Sequence, residues 1–135
     1  MKTTEIDHVA IAVADLDVAI QHYIALGGRV VHQERVESDG IDEVLLQVAD
    51  SYIQLVSPFR ESSTVTRFLQ RRGEGLHHIG LRVPDCAVAI KELQAEGFEL
   101  IDHEPRPGSR GTLVAFVHPQ SANGTLIEIV QEPPH

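Results

Sequence analysis

His8-Val9-Ala10-Ile11-Ala12-Val13, followed by Asp15, Val18-Ala19-Ile20 and Gly27, returns 70 residues later as His78-Ile79-Gly80-Leu81-Arg82-Val83, followed by Asp85, Val88-Ala89-Ile90 and Gly97. The apolar pairs Val30/Leu100 and Val31/Ile101 extend the match. A run with histidine, aspartate and glycine all in register marks an internal repeat, and the repeat organises the rest of the reading.

Each copy opens with a short alternating strand, at about 6–13 and 76–83. Asp15 and Asp85 stand at helix N-cap positions, where a side-chain oxygen accepts otherwise unpartnered backbone N–H groups. Helices follow over about 16–26 and 85–96, and Gly27 and Gly97 end them. Three more strands are expected in each half, near 29–36, 42–48 and 52–57, and near 98–104, 112–118 and 125–131. Turn residues such as Ser38-Asp39-Gly40 and Pro107-Gly108-Ser109 separate them. The order is βαβββ twice, in modules of about 5–57 and 75–131 within one α+β domain. The connector carries Ser62-Ser63-Thr64 as a cap and Val65, Phe68 and Leu69 at helical spacing, so it reads as a short helix through Arg72, closed by Gly73.

Bulk properties narrow the function. The chain has 135 residues and a formal net charge of −9, from 11 basic and 20 acidic residues. Such a balance argues against nucleic-acid binding and against a polybasic membrane contact. Cys86 is the one cysteine, which excludes an internal disulfide and a cysteine zinc site, and fits a reducing cytoplasm. The stretch Met1-Lys2-Thr3-Thr4-Glu5 lacks the apolar run of a signal peptide, and no stretch approaches a membrane span.

Strand alternation turns the repeat into chemistry. Val9, Ile11 and Val13 share one face of the first strand and suit packing under the helix; His8, Ala10 and Ala12 share the other. In the second copy His78, Gly80 and Arg82 take the place of His8, Ala10 and Ala12. On the fourth strand of each half Gln54 lies between Ile53 and Leu55, and Glu128 between Ile127 and Ile129. Each half thus offers one histidine and one oxygen donor from matching places. If the halves pair about a pseudo-twofold axis, His8, Gln54, His78 and Glu128 converge on one point. Two imidazoles, a carboxylate and an amide oxygen suit Co²⁺, Mn²⁺, Ni²⁺, Fe²⁺ or Zn²⁺, and leave positions open for substrate oxygens. Gln54 is the weakest of the four, because strand glutamines commonly serve only as hydrogen-bonding residues.

Glu43 breaks the symmetry. Val44, Leu46 and Val48 are apolar, so Glu43 points to the face of the histidines, and its counterpart 70 residues on is Leu113. A carboxylate on one side only suits proton abstraction beside a metal-held carbonyl; a solvated glutamate next to Asp42 is the plainer alternative. His22, His32, His77, His103, His118 and His135 lack repeat partners and read as surface residues or as residues standing just behind the site.

The paired modules, each opened by a strand-borne histidine, resemble the vicinal oxygen chelate superfamily, which includes glyoxalase I, extradiol dioxygenases and bleomycin-binding proteins. Within it the chain looks most like the methylmalonyl-CoA epimerases. The resemblance rests on Ile6 to Val13, on Arg72-Gly73-Glu74-Gly75-Leu76-His77-His78-Ile79, on Val114-Ala115-Phe116-Val117-His118-Pro119 and on Gly124-Thr125-Leu126-Ile127-Glu128. It implies a cupped mixed sheet, His8, Gln54, His78 and Glu128 as ligands of one divalent ion, usually cobalt, and Glu43 as catalytic base. It further implies an acyl-CoA substrate inverted through a stabilised enolate, Glu128 or a water as the second acid, and a homodimer. Ser109-Arg110 and Gln120 depart from the epimerase pattern at positions that could touch the CoA portion. A glyoxalase I-like lyase and a metal-free binding protein of the bleomycin-resistance type are the alternatives.

Overall fold

A computed structural model describes residues 1–134. The chain forms two compact units, His8–His77 in one and Met1–Asp7 with His78–His135 in the other. The first unit carries β1 (Glu5–Ala12, whose opening residues belong to the second unit), α1 (Leu16–Ala25), β2 (Gly28–Val36), β3 (Ile41–Val48), β4 (Ser51–Pro58) and α2 (Thr64–Arg72). The second carries most of β5 (Gly75–Arg82), then α3 (Cys86–Ala95), β6 (Arg106–Pro107), β7 (Leu113–Val117) and β8 (Ile127–Gln131). The strands run β2-β3-β4-β1 in the one and β5-β8-β7-β6 in the other. In each, the first and last strands of the module pair in parallel, β1 with β4 and β5 with β8, and the remaining pairs are antiparallel. The expected α+β class and mixed sheet are thereby borne out. No helix among the described residues is long and apolar enough to cross a membrane.

Local chemistry sets the boundaries. Asp15 and Asp85 accept the N–H groups of Val18 and Val88, each at 3.1 Å, and Ser63 accepts that of Val65 at 3.2 Å. Gly27 and Gly97 follow the helix ends at φ 104° and 89°, values that favour glycine. The alternation read from β1 holds. Ile11 and Val13 pack with Val44, Leu46 and Leu55 beneath Ala19, Ile20 and Tyr23 of α1. Ala12 packs on the other side with Val56 and with Val65, Phe68 and Leu69 of α2, so the connector helix covers one end of the histidine face. The second unit has its own core, built from Val83, Ala89, Ile90, Leu93, Ala115, Val117 and Ile129.

One element differs from expectation. The strand expected near 98–104 does not form, and the edge strand is Arg106–Pro107. Asp102 is the cause. Its carboxylate takes the N–H of Phe116 at 2.8 Å, the donor that a regular ladder would use, and Pro105 follows close behind. Leu100 makes an isolated bridge to Val117, and nothing longer develops.

Asp7 is the buried acid of the second unit. It accepts from Arg82 Nε at 2.9 Å and from Arg110 Nη2 at 3.1 Å. Burial works against the Arg82 charge, but the hydrogen bond and charge of Asp7, together with the charges of Glu132 and Glu5, outweigh it, and the guanidinium pKa stands above its ordinary value. Removing the carboxylate leaves two guanidinium groups without their shared acceptor. Because both arginines keep partial contact with solvent, Asp7→Ala is expected to destabilise the fold by about 2–3 kcal/mol rather than the full amount for a buried pair. Urea unfolding with an unchanged midpoint would remove this ion cluster from the account of stability.

Candidate active site

In the second unit, the parallel pairing of β5 and β8 sets Gly80 opposite Glu128. His78, two residues before Gly80, lies on the same face. Its Nε2 stands 3.5 Å from Glu128 Oε1, close enough for both to hold one ion. The Phe116 ring meets the imidazole edge-on, with centroids 5.4 Å apart at 89°, and limits its rotation. His78 is buried, and the Glu128 side chain keeps 13% exposure.

The first unit repeats this register. The parallel pairing of β1 and β4 sets Ala10 opposite Gln54, and His8, two residues before Ala10, is buried on the same face. Gln54 Nε2 donates to Glu43 Oε2 in a short hydrogen bond. An ionised carboxylate only accepts, so the amide nitrogen must be the end turned toward Glu43. Gln54 Oε1 is thereby turned away from Glu43 and is the atom able to serve as a cation donor. Each unit therefore presents one imidazole and one oxygen donor at equivalent positions.

Glu43 is fully buried as a side chain and lies on β3 opposite Val56. Leu45, two residues on, faces Gln54. In the second unit Phe116 faces Glu128 and Val114 faces Val130. The positional counterpart of Glu43 is thus Val114, not Leu113, because one residue has been gained between the first and third strands. The residue is apolar either way, so the carboxylate remains on one side only.

His32, read from the sequence as a surface residue or one standing just behind the site, takes the second of these places. β2 and β3 pair as Val30 with Leu46, then shift register, so that His32 faces Leu45 and Glu34 faces Glu43. Regular alternation would have kept His32 on the core face of Val30. The bulge moves His32 and Glu34 to the face of Glu43. His32 Nε2 lies 2.8 Å from Glu34 Oε1 and 3.8 Å from Glu43 Oε1. The other histidines stand apart from this cluster: His77 packs on Phe68, His103 Nδ1 contacts Gln94, His118 Nδ1 accepts from the Gln120 N–H, and His22 is exposed. His135 lies outside the described residues. Arg110, one of the departures from the epimerase pattern, is engaged by Asp7.

Comparison with known proteins identifies the family. Residues 7–116 match the profile of the Glyoxalase/Bleomycin resistance protein/Dioxygenase superfamily. The crystal structure of methylmalonyl-CoA epimerase from Mycobacterium tuberculosis is similar, with a TM-score of 0.94 and 41% identity, covering 98% of this chain and 90% of that one. A variant of the Streptomyces coelicolor methylmalonyl-CoA epimerase in complex with 2-nitronate-propionyl-CoA aligns with a TM-score of 0.93 and 36% identity, covering 97% and 96%. The ethylmalonyl-CoA/methylmalonyl-CoA epimerase of Cereibacter sphaeroides is 34% identical over 93% of this chain and 96% of that protein. The repeated modules, the matching fold and these full-length similarities place the chain in the Glyoxalase/Bleomycin resistance protein/Dioxygenase superfamily and, within it, in the enzyme family of methylmalonyl-CoA epimerases.

Proposed function

We propose that this chain is a divalent-metal-dependent epimerase that interconverts the 2R and 2S forms of methylmalonyl-CoA. The observation that carries the reading is a histidine and an oxygen donor at the same register in each unit, beside a buried carboxylate present in only one of them. In this reading the two units act as one domain, with His8, Gln54, His78 and Glu128 as the metal ligands. The donor set fits a borderline divalent ion, cobalt first and manganese, nickel, iron or zinc after it: two imidazoles, one carboxylate, one amide oxygen and no thiolate. The outward turn of Gln54 Oε1, imposed by the Glu43 hydrogen bond, supports its place in that set. A bound ion supplies positive charge near the thioester oxygen that gains electron density as the α-proton leaves.

The chain's own groups then move the proton. Glu43 takes the α-proton, and its carboxylate becomes a carboxyl. The electron pair left behind spreads onto the thioester oxygen. A water, or Glu128 when it carries a proton, returns a proton to the opposite face, the centre inverts, and no net oxidation occurs. Buried Glu43, fixed by Gln54, is preorganised for this single task. The same reading makes the enzyme a cytoplasmic homodimer, since Cys86 stays a thiol and β2 leaves one sheet edge open in a single chain.

The test is proton NMR of methylmalonyl-CoA in D₂O with the enzyme, with and without EDTA. Loss of the α-proton signal that requires metal is the expected result. Retention of that signal by metal-loaded enzyme rejects the epimerase assignment and favours another reaction of the superfamily.

A further inference from the structure

A carboxylate that takes a proton on one face of a substrate, while a second group supplies one on the other, ends each turnover carrying the proton it captured. It must lose that proton before it can act again in the same direction. Glu43 has no direct way to do so, because its side chain has 0% exposure. The neighbouring cluster on the same face supplies a route outward. His32 and Glu34 each keep 34% side-chain exposure, and one imidazole nitrogen, His32 Nε2, stands between the two carboxylates.

We propose that His32, held by Glu34, is the proton relay that returns Glu43 to its working carboxylate between turnovers. The inference rests on the assignment of Glu43 as the base. His32 Nε2 lies 3.8 Å from Glu43 Oε1, and a swing of ~0.8 Å brings the pair into hydrogen-bond range. As an imidazolium, His32 first passes its Nε2 proton to Glu34, 2.8 Å away, and from there to water. The Nε2 lone pair so freed takes the proton of the Glu43 carboxyl, which leaves Glu43 a carboxylate and His32 again an imidazolium. No electron moves, and the only net change is the export of the captured proton. Glu34 has a second task, since its hydrogen bond holds the ring nitrogen on the Glu43 side. The β2 bulge between Val30 and His32 is what creates the alignment; without it the imidazole would face the core and Glu34 would follow it. His32 acts through Glu43 and does not touch the substrate.

The proposal predicts a split between the two kinetic constants in His32→Gln. Proton removal from the first bound substrate needs only Glu43, so kcat/KM should stay within about twofold of the unmodified enzyme, while kcat falls by about tenfold or more. Millimolar imidazole in the buffer should restore kcat by carrying the proton in place of the side chain. Glu34→Gln, which keeps the ring and removes its acceptor, should show a smaller kcat loss in the same direction. A parallel fall of kcat and kcat/KM with no imidazole rescue in both variants would make His32 a packing residue and overturn the relay. Unchanged kcat in both variants overturns it as well. Failure of the underlying function is distinguished by the unmodified holoenzyme, which would then leave the α-proton of methylmalonyl-CoA unexchanged.

Discussion

Replacing Glu43 with glutamine is expected to lower epimerisation by about 10³-fold while leaving the bound metal in place. The amide has nearly the volume of the carboxylate and can still hydrogen-bond with Gln54, so the buried site keeps its packing. What it loses is a base. Thermal stability should hold or rise, because a charge sequestered from water is replaced by a neutral group. Metal analysis of the purified variant, run beside the D₂O exchange assay, separates the two effects. A variant that retains more than about a tenth of the normal rate would show that another group removes the proton.

His78→Ala is expected to have the second largest effect, and through a different route. It deletes an imidazole that Phe116 holds in place and that stands 3.5 Å from Glu128. Loss of groups that merely orient metal ligands already lowers affinity about 10–100-fold, and loss of a ligand should exceed that. The variant should emerge from dialysis without its divalent ion and without exchange activity, yet remain folded, because the hydrophobic cores of the two units do not include this residue. The discriminating measurement is metal content per chain by elemental analysis. Full metal retention in His78→Ala would remove this residue from the ligand set, whatever happened to the rate. Glu43→Gln and His78→Ala thus fail differently, one metal-loaded and idle, the other empty.

Much of this arrangement was legible in the residues alone. The repeat located both βαβββ modules, and Asp15, Asp85, Ser63, Gly27 and Gly97 marked helix ends because capping is a local interaction between neighbours in sequence. Strand alternation placed His8 with Ala10, and His78 with Gly80, because the face of a regular strand follows from counting by two. Counting failed where regularity failed. The stretch 98–104 alternates well enough for a strand, yet the Asp102 side chain captures a ladder donor, which is a contact with a residue 14 positions away. The register counterpart of Glu43 moved from Leu113 to Val114 through a single gained residue. The place of His32 beside Glu43 was not legible for a related reason. A search for residues with repeat partners passes over it, and a bulge of one residue decides whether it faces the core or the carboxylate. Its one sequence signal was the His-x-Glu spacing of His32 and Glu34, which puts both side chains on whichever face the strand presents.

The division of the chain into units has a consequence for its synthesis. His8–His77 is one unbroken stretch, whereas the other unit is assembled from Met1–Asp7 and from His78–His135. Met1–Asp7, made before the unbroken unit, is therefore among the last stretches to reach its final partners. Asp7 waits for Arg82 and then for Arg110, both translated after the whole of the intervening unit. On the ribosome, the stretch beginning at His8 can acquire its core while the opening strand is still half committed, since chains fold in the order in which compact pieces become available. The later unit closes the longer loop, a modest entropic cost but a slow search. A lesion at position 7 would accordingly appear as a late assembly defect, although the residue is made before the unbroken unit.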